Sequence, residues 1–387
     1  MSAAEGMVNA VMRTAGIRGQ TSREIYDLVG ARGLLTKNEI AGLLGLSLPT
    51  VSKYVSHLKQ EGLLAEGARL PSGAHGGRSP VAYRCVPDGR LAVGVDITAE
   101  GVVSLMVDLE REVRAIRRTR QPFTNTPQYF DLVADEVRAL IQQSGAPTDR
   151  ILGVGVAMPG LVSRLRQVVT YGPVLDNAGV SAADFSTRLR FPIHLVHDSD
   201  AAGLAEFWPD RGFRNAFYVS LSRSVGGSVL IGGEVYLGDG EFAGEIGHVP
   251  LHPGGLRCYC GKQGCMDRYC NASVLTGHTN GQLTAFFEGV ERGDPDLVEV
   301  WDRYTTDLAR AVVDIRLMYG ATVVLGGDVG AHLGDRLDDV AAKVADLHFL
   351  TRSPEDFLVA CTHTVEPVAT GAALSFVRDF TRELGAS

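Results

Sequence analysis

The sequence predicts an α/β protein made of a small basic head and a large acidic body. Three observations carry this. Residues 1–90 hold eleven Lys and Arg against seven Asp and Glu, a charge of +4, whereas the remainder holds 26 against 38, a charge of −12. From Ser22 to Leu64, apolar residues recur at helical spacing around a short glycine turn. From Leu91 onward, short apolar runs ending in Gly, Asp or Ser alternate with longer amphipathic stretches, as strands and helices do in α/β sheets.

In the head, Ile25, Leu28 and Val29 fit one apolar helix face. Thr36 followed by Glu39 is a capping-box pattern, so the next helix begins near Lys37, with Ile40, Leu43 and Leu44 facing inward. Gly45-Leu46-Ser47 is a turn that ends in a good N-cap. Pro49 falls in the first turn of the following helix, where its missing N–H is harmless. Val51, Val55 and Leu58 form that helix's buried stripe. Its other face presents Pro49, Thr50, Ser52, Lys53, Ser56 and His57, small or polar side chains that suit a DNA major groove. A strand, a tip containing Gly76-Gly77-Arg78-Ser79-Pro80 and a second strand ("VAYRCV") complete a winged helix-turn-helix. Arg78 on that tip fits a minor groove or phosphates. Met1–Gly19 is predicted as an extra helix.

In the body, "LAVGVDITAEGVVSLMVDLEREV" reads as two strands joined by a turn at Thr98–Gly101. "ILGVGVAMPGLVS", "PIHLVHDSDAAGLAEFW", "NAFYVSLSRSVGGSVLIGGEVY" and "ATVVLGGDVG" supply further strands, with helices over Pro127–Gln143 and Pro295–Tyr319. The apolar content of 45% over 387 residues is ample for two or three domains. No run approaches the roughly 18–20 apolar residues of a membrane helix. The start lacks the basic and apolar segments of a secretory signal, which predicts a cytoplasmic protein with reduced thiols.

The stretch "GEIGHVPLHPGGLRCYCGKQGCMDRYC", Gly244 to Cys270, gathers four of six cysteines and two of ten histidines. A disulfide framework, a redox thiol and a metal site each draw on such residues, and a reduced compartment weighs against the first. Cys85 and Cys361 lie in apolar strand contexts and read as core.

Gly94-Val-Asp-Ile-Thr, Pro159-Gly160, His197-Asp198, Gly244-Glu-Ile-Gly-His, Cys258-Tyr-Cys-Gly and Gly264-Cys-Met-Asp follow the order and spacing of the ROK family, and together the sequence resembles that family over nearly its whole length. The family comprises repressors and sugar kinases on an actin-like, hexokinase-like ATPase fold, and the winged head resembles its transcription-factor branch. The resemblance implies a closed zinc knuckle held by His248, Cys258, Cys260 and Cys265, a structural site with no place for a catalytic water. His252 and Cys270 are spare candidates. It also implies a sugar-type ligand at Asp198, Glu245 and His248, with His197, Asp267 and Gly160 around it. Carboxylates suit sugars because they accept hydroxyl hydrogen bonds in a fixed plane.

The sequence departs from the family's kinases where phosphates would be held. The first kinase loop resembles Asp-x-Gly-Gly-Thr-Lys; here it is Asp96-Ile97-Thr98-Ala99-Glu100. The second resembles Gly-Thr-Gly-x-Gly; here it is Ser222-Arg223-Ser224-Val225-Gly226. Only glycine lets backbone N–H groups close on an anion, so losing these glycines undoes the phosphate cradle. On the sugar side, Asp267 replaces a glutamate, His197 an asparagine, and Leu175 a tryptophan. The expectation is a DNA-binding repressor without kinase activity, sensing a sugar or sugar derivative in an interlobe cleft. It would bind a palindromic operator as a homodimer or dimer of dimers, with zinc as its structural cofactor. A sugar kinase with an appended head and a ligand-independent DNA-binding regulator are the alternatives. The expected units are residues 1–88, 89–200 completed by a C-terminal helix at about 368–387, and 201–367.

Overall fold

The computed structural model describes residues 20–69, 80–208, 212–347 and 353–384. The predicted helix in Met1–Gly19 and the wing tip with Arg78 lie outside the described residues. Among the described residues no helix is long and apolar enough to cross a membrane.

The head packs three helices, residues 20–32, Lys37–Leu44 and Leu48–Gln60, on a three-stranded antiparallel sheet. The sheet places Val81–Cys85 between Leu35–Thr36 and Leu64–Arg69. Local chemistry sets the helix boundaries. Glu39 N–H donates to Thr36 Oγ1 at 3.3 Å and Thr36 N–H donates back to Glu39 Oε2 at 2.7 Å, closing the capping box. Ser47 Oγ then accepts from Thr50 N–H, and Gly45 adopts the left-handed conformation between the helices (φ 65°). Ile25, Val29, Ile40, Val51, Val55 and Leu58 are fully buried together. Leu43, expected inward, is instead 52% exposed. It lies three positions from Ile40, outside the narrow face that this short helix buries.

The body repeats one topology twice. The first sheet runs Ile193–His197, Ile151–Met158, Leu91–Ile97, Val102–Asp108, Val113–Thr119, and the second runs Leu358–Ala360, Thr322–Gly326, Ala216–Leu221, Val225–Ile231, Glu234–Val235. Numbered within each lobe, both read 5-4-1-2-3. The first three strands are antiparallel neighbours, and the last two run parallel to the first. The strand Val113–Thr119 was not expected from sequence. It is an edge strand carrying Arg114, Arg117 and Arg118, so it shows little apolar alternation.

Two helices join the halves. Asp198–Phe207 leaves the first sheet, and Pro367–Glu383 returns from the second lobe to lie along the first. They touch through backbone: a Cβ added at Gly371 would sit 1.6 Å from Ala201 O, and one at Gly94 would sit 1.8 Å from Ala369 O. The far end of Pro367–Glu383 supports the head, because Phe380 and Leu384 pack against the head's core. Arg90 completes the joint. Its guanidinium lies 5.5 Å from the Phe380 ring centroid and reaches Glu61 Oε2 at 3.0 Å.

Candidate functional site

Three constellations carry chemistry: a cysteine–histidine cluster, a carboxylate cleft beside it, and the exposed face of the helix Leu48–Gln60.

The cluster forms because the loop after Val249 folds back on itself. Met266 N–H donates to Val249 O at 2.9 Å, Gly264 N–H to Leu256 O at 2.9 Å and Cys258 N–H to Lys262 O at 2.8 Å. Gly264 is required: its φ is 84°, and a Cβ there would meet His252 O at 1.8 Å. One ligand atom each from His248, Cys258, Cys260 and Cys265 then falls within 4.8 Å of all the others. Cys258 Sγ is 3.7 Å from His248 Nδ1, and Cys260 Sγ is 3.7 Å from Cys265 Sγ. A tetrahedral zinc with Zn–S bonds of about 2.3 Å separates its sulfurs by about 3.8 Å, so this donor set fits the ion. Burial pushes the Cys258 and Cys265 thiols up, the latter to about 12, so a cation is needed to hold them as thiolates. The spare candidates are elsewhere. His252 Nε2 meets Asp307 Oδ1 at 2.7 Å, and Cys270 is fully buried in the second-lobe core.

The cleft lies where the two lobes face each other. Asp198 opens its helix directly after the first-lobe strand Ile193–His197, while Glu245 and His248 come from the second lobe. Together with Gly160, His197 and Tyr259 they line a cavity of about 40 Å3. Through Asp198, Ser199 and Ser224 it is continuous with a larger interlobe cleft of about 670 Å3 that Leu175 also lines. Asp198 Oδ1 accepts from Ser199 N–H at 2.7 Å and lies 3.0 Å from His197 Nε2, leaving Oδ2 for other partners. Glu245 Oε1 and Asp200 Oδ2 each stand 4.0 Å from the His197 ring. Burial opposes a charge on His197, but the three carboxylates outweigh it and hold the imidazole up at about 10. Burial raises Asp198 too, yet cationic His197 wins and holds it below the usual aspartate range.

Asp267 is not brought to this cavity wall. It is 2% exposed, and its Oδ1 accepts from Val225 N–H at 2.7 Å, supporting the strand behind the cleft. The family resemblance placed it beside the ligand; here its carboxylate is taken up by the Val225 N–H. The role of Asp200 and the charged state of His197 were missed, and the Asp-x-Asp spacing after His197 was the signal available.

In the larger cleft, the loops that would meet phosphates are tied up. Thr98 Oγ1 accepts from Glu100 N–H at 3.3 Å and from Gly101 N–H at 3.2 Å, so these amides are spent within their own turn. Ser222 Oγ accepts from Asp328 N–H at 3.0 Å. Arg223 of the second loop pairs with Glu100 of the first, spanning the gap. Asp96, Glu100, Asp198, Asp328 and Glu366 line this space against the single guanidinium of Arg223.

On the head, Pro49, Lys53, Ser56 and His57 are exposed, whereas Thr50 and Ser52 are half-buried. Thr50 Oγ1 lies 2.7 Å from Ser47 Oγ, so its hydroxyl also serves the cap. Lys53 Nζ stands 5.7 Å from the Tyr54 ring centroid, which keeps it close to the helix surface.

Comparison with known proteins agrees with this layout. The ROK family profile matches residues 92–376, and a winged helix-turn-helix DNA-binding profile matches residues 18–65. The xylose repressor of Bacillus subtilis (strain 168) is 25% identical over 245 residues, covering 62% of this chain and 63% of the repressor. The chain thus spans a little under two thirds of that relative's length. A glucokinase of Streptomyces coelicolor is 28% identical over 218 residues, covering 54% of this chain and 67% of the enzyme. Among solved structures, a ROK family transcriptional regulator described as a homolog of the E. coli MLC protein superposes with a TM-score of 0.75 at 17% identity. That match covers 96% of this chain and 99% of the other.

Proposed function

Because the chain belongs to the ROK family, with a winged helix-turn-helix ahead of the two-lobed body, we propose that it is a transcriptional repressor whose DNA affinity is set by a sugar. The observation that carries this reading is the state of the interlobe space. The phosphate side is closed by the Thr98 turn and the Glu100–Arg223 pair, while the sugar side keeps Asp198, Glu245 and His248 converging on one cavity.

The same geometry argues against the sugar kinase. A general base works best with a pKa near the operating pH. Asp198 is held below the ordinary aspartate range by His197, which suits a permanent hydrogen-bond acceptor better than a proton shuttle. A phosphoryl donor would also lack the free amides that phosphoryl transfer needs. The ligand-independent alternative is disfavoured by Asp198 Oδ2 and Glu245, half-buried acceptors that face the cavity without a hydroxyl partner.

Zinc is the proposed resident of the cysteine–histidine cluster. With Nδ1 of His248 on the metal, Nε2 carries the proton and is left to donate toward a sugar hydroxyl. A ligand that touches Asp198 on one lobe and Glu245 and His248 on the other favours one lobe angle. The helix Pro367–Glu383, fixed to the first sheet and supporting the head through Phe380 and Leu384, would carry that angle to the DNA-binding units. The proposed domains are the DNA-binding head at residues 1–88, the first lobe at 89–200 completed by the C-terminal helix at about 368–387, and the second lobe at 201–367. The proposed assembly is a homodimer or dimer of dimers in the cytoplasm, its Pro49, Thr50, Ser52, Lys53, His57 and Arg78 meeting a palindromic operator.

Titration calorimetry tests this. D-xylose and other neutral aldoses are titrated into zinc-replete protein, with and without an operator fragment selected by binding. By linkage, operator must change sugar affinity by the same factor that sugar changes operator affinity, typically about 5- to 150-fold. Asp198→Ala should abolish the sugar response and leave basal DNA binding intact. Sugar binding equal in wild type and variant would mean that the ligand does not sit at Asp198.

A further inference from the structure

Between the two lobes and their joining helices lies a separate cavity of about 330 Å3. That volume is in the range of small-molecule sites, about 300–1,000 Å3. Its walls come from both lobes and from both joining helices. Val162 and Arg164 belong to the first lobe, Val235 and Leu237 to the second, Asp200 to the helix Asp198–Phe207, and Arg378 and Asp379 to the helix Pro367–Glu383.

Polar groups divide this cavity into a floor and a rim. On the floor, the Asp200 carboxylate keeps 17% of its side chain exposed, with Oδ2 standing 4.0 Å from His197 Nδ1. At the rim, the guanidiniums of Arg164 and Arg378 are close enough to repel, and among the described rim residues Asp379, 3.3 Å from Arg378, is the one carboxylate that offsets them. One positive charge is therefore left over. Burial, and then the neighbouring Arg382 and Arg164, lower the affinity of Arg378 for its proton against the opposing pull of Asp379. The apolar sides formed by Val162, Leu204, Val235 and Leu237 suit a carbon skeleton between the two ends.

We propose that this cavity is a second effector site that takes a small polyhydroxylated anion, a sugar acid or a sugar phosphate. The hydroxyl end donates to Asp200, and the anionic group lies between Arg164 and Arg378. The site is distinct from the Asp198 cleft, although His197 lines both, one ring nitrogen toward Asp198 and the other toward Asp200. Arg378 and Asp379 directly precede Phe380, which packs under the head. An occupant thus touches both lobes and the helix that supports the DNA-binding unit.

The test uses full-length, zinc-replete protein and titration calorimetry with D-gluconate, D-glucose 6-phosphate, inorganic phosphate and D-glucose. D-gluconate or D-glucose 6-phosphate should bind at about millimolar concentration or below, and at least tenfold more tightly than inorganic phosphate. Binding of gluconate alone assigns a sugar acid, and binding of the ester alone a sugar phosphate. Arg164→Ala, an exposed side chain whose loss spares the fold, should weaken that binding tenfold or more. Leu237→Trp, which fills the cavity, should do the same. Neither variant should alter the response to a neutral aldose, so failure here is separable from failure of the sugar-sensing reading. The proposal is overturned if neither anion binds by about 10 mM, if inorganic phosphate binds as tightly, or if both variants bind the anion like wild type.

Discussion

His197 offers the sharpest quantitative test, because a neutral asparagine fits its position and every neighbour that matters is charged. In the folded protein its imidazole sits among Asp198, Asp200 and Glu245; burial lowers its pKa, but these carboxylates raise it to about 10 from 6.5. A folded pKa above the unfolded one stabilises fully at pH below 6.5, and the contribution disappears as pH rises through about 10. At about 1.36 kcal/mol per pH unit, the cation is worth about 4 kcal/mol at pH 7 and about 1 kcal/mol at pH 9. The first figure agrees with the roughly 3–5 kcal/mol lost when one partner of a buried ion pair is removed. His197→Asn should therefore lower stability by about 4 kcal/mol at pH 7 and by much less at pH 9. Urea unfolding of both proteins at the two pH values, with zinc saturating, measures the difference. A gap under about 1 kcal/mol at pH 7, or one that does not shrink toward pH 9, would show that the imidazole is not held as a cation by its carboxylate neighbours.

Metal analysis of freshly purified protein should find one zinc per chain. Cys265→Ser should lose it along with several kcal/mol of stability, because structural zinc binding is coupled to folding; well under half an equivalent in wild type contradicts the assignment. A coupled ADP-release assay across common hexoses should show no turnover, and a rate near about 1 s⁻¹ that vanishes in Asp198→Asn would restore the kinase reading. Lys53→Ala should weaken operator binding by about 1–3 kcal/mol if it reaches a base, or reduce the salt dependence if it reaches phosphate. Unchanged binding and unchanged salt slope would remove Lys53 from the interface.

What the sequence disclosed, and what it withheld, follows from how local each feature is. The helix-turn-helix was legible because a capping box at Thr36–Glu39, a glycine turn and a proline in the first turn are chemistry between residues only a few positions apart. The 25-residue helix Pro295–Tyr319 announced itself by its period. The four ligands of the cysteine–histidine cluster lie within eighteen positions, so spacing brought them together before any coordinates did. Leu43 shows the limit of periodicity, which finds an apolar stripe but not how wide a surface the rest of the fold covers. Asp267 shows the limit of a motif match: a backbone N–H at Val225, forty-two positions away, takes up the carboxylate. The cavity between the lobes and their joining helices was invisible in sequence because its walls come from segments more than two hundred positions apart.

The contact between the helix Pro367–Glu383 and its neighbours bears on how a signal can travel at all. At Gly94 and Gly371 main chain meets main chain, with no side chain between to bend or change rotamer. Side-chain packing works like a rubber mount: it yields, and small displacements die within it. A joint of bare peptide groups works like a keyed axle, with no play to take up a push. Helix and first sheet must then turn as one piece, and a shift of either at the hinge arrives at Phe380 with its amplitude intact. Wherever the second lobe is pulled, it is the base under the DNA-reading unit that records the pull. An added methyl group at either glycine would loosen that record without touching a ligand, a metal or a base.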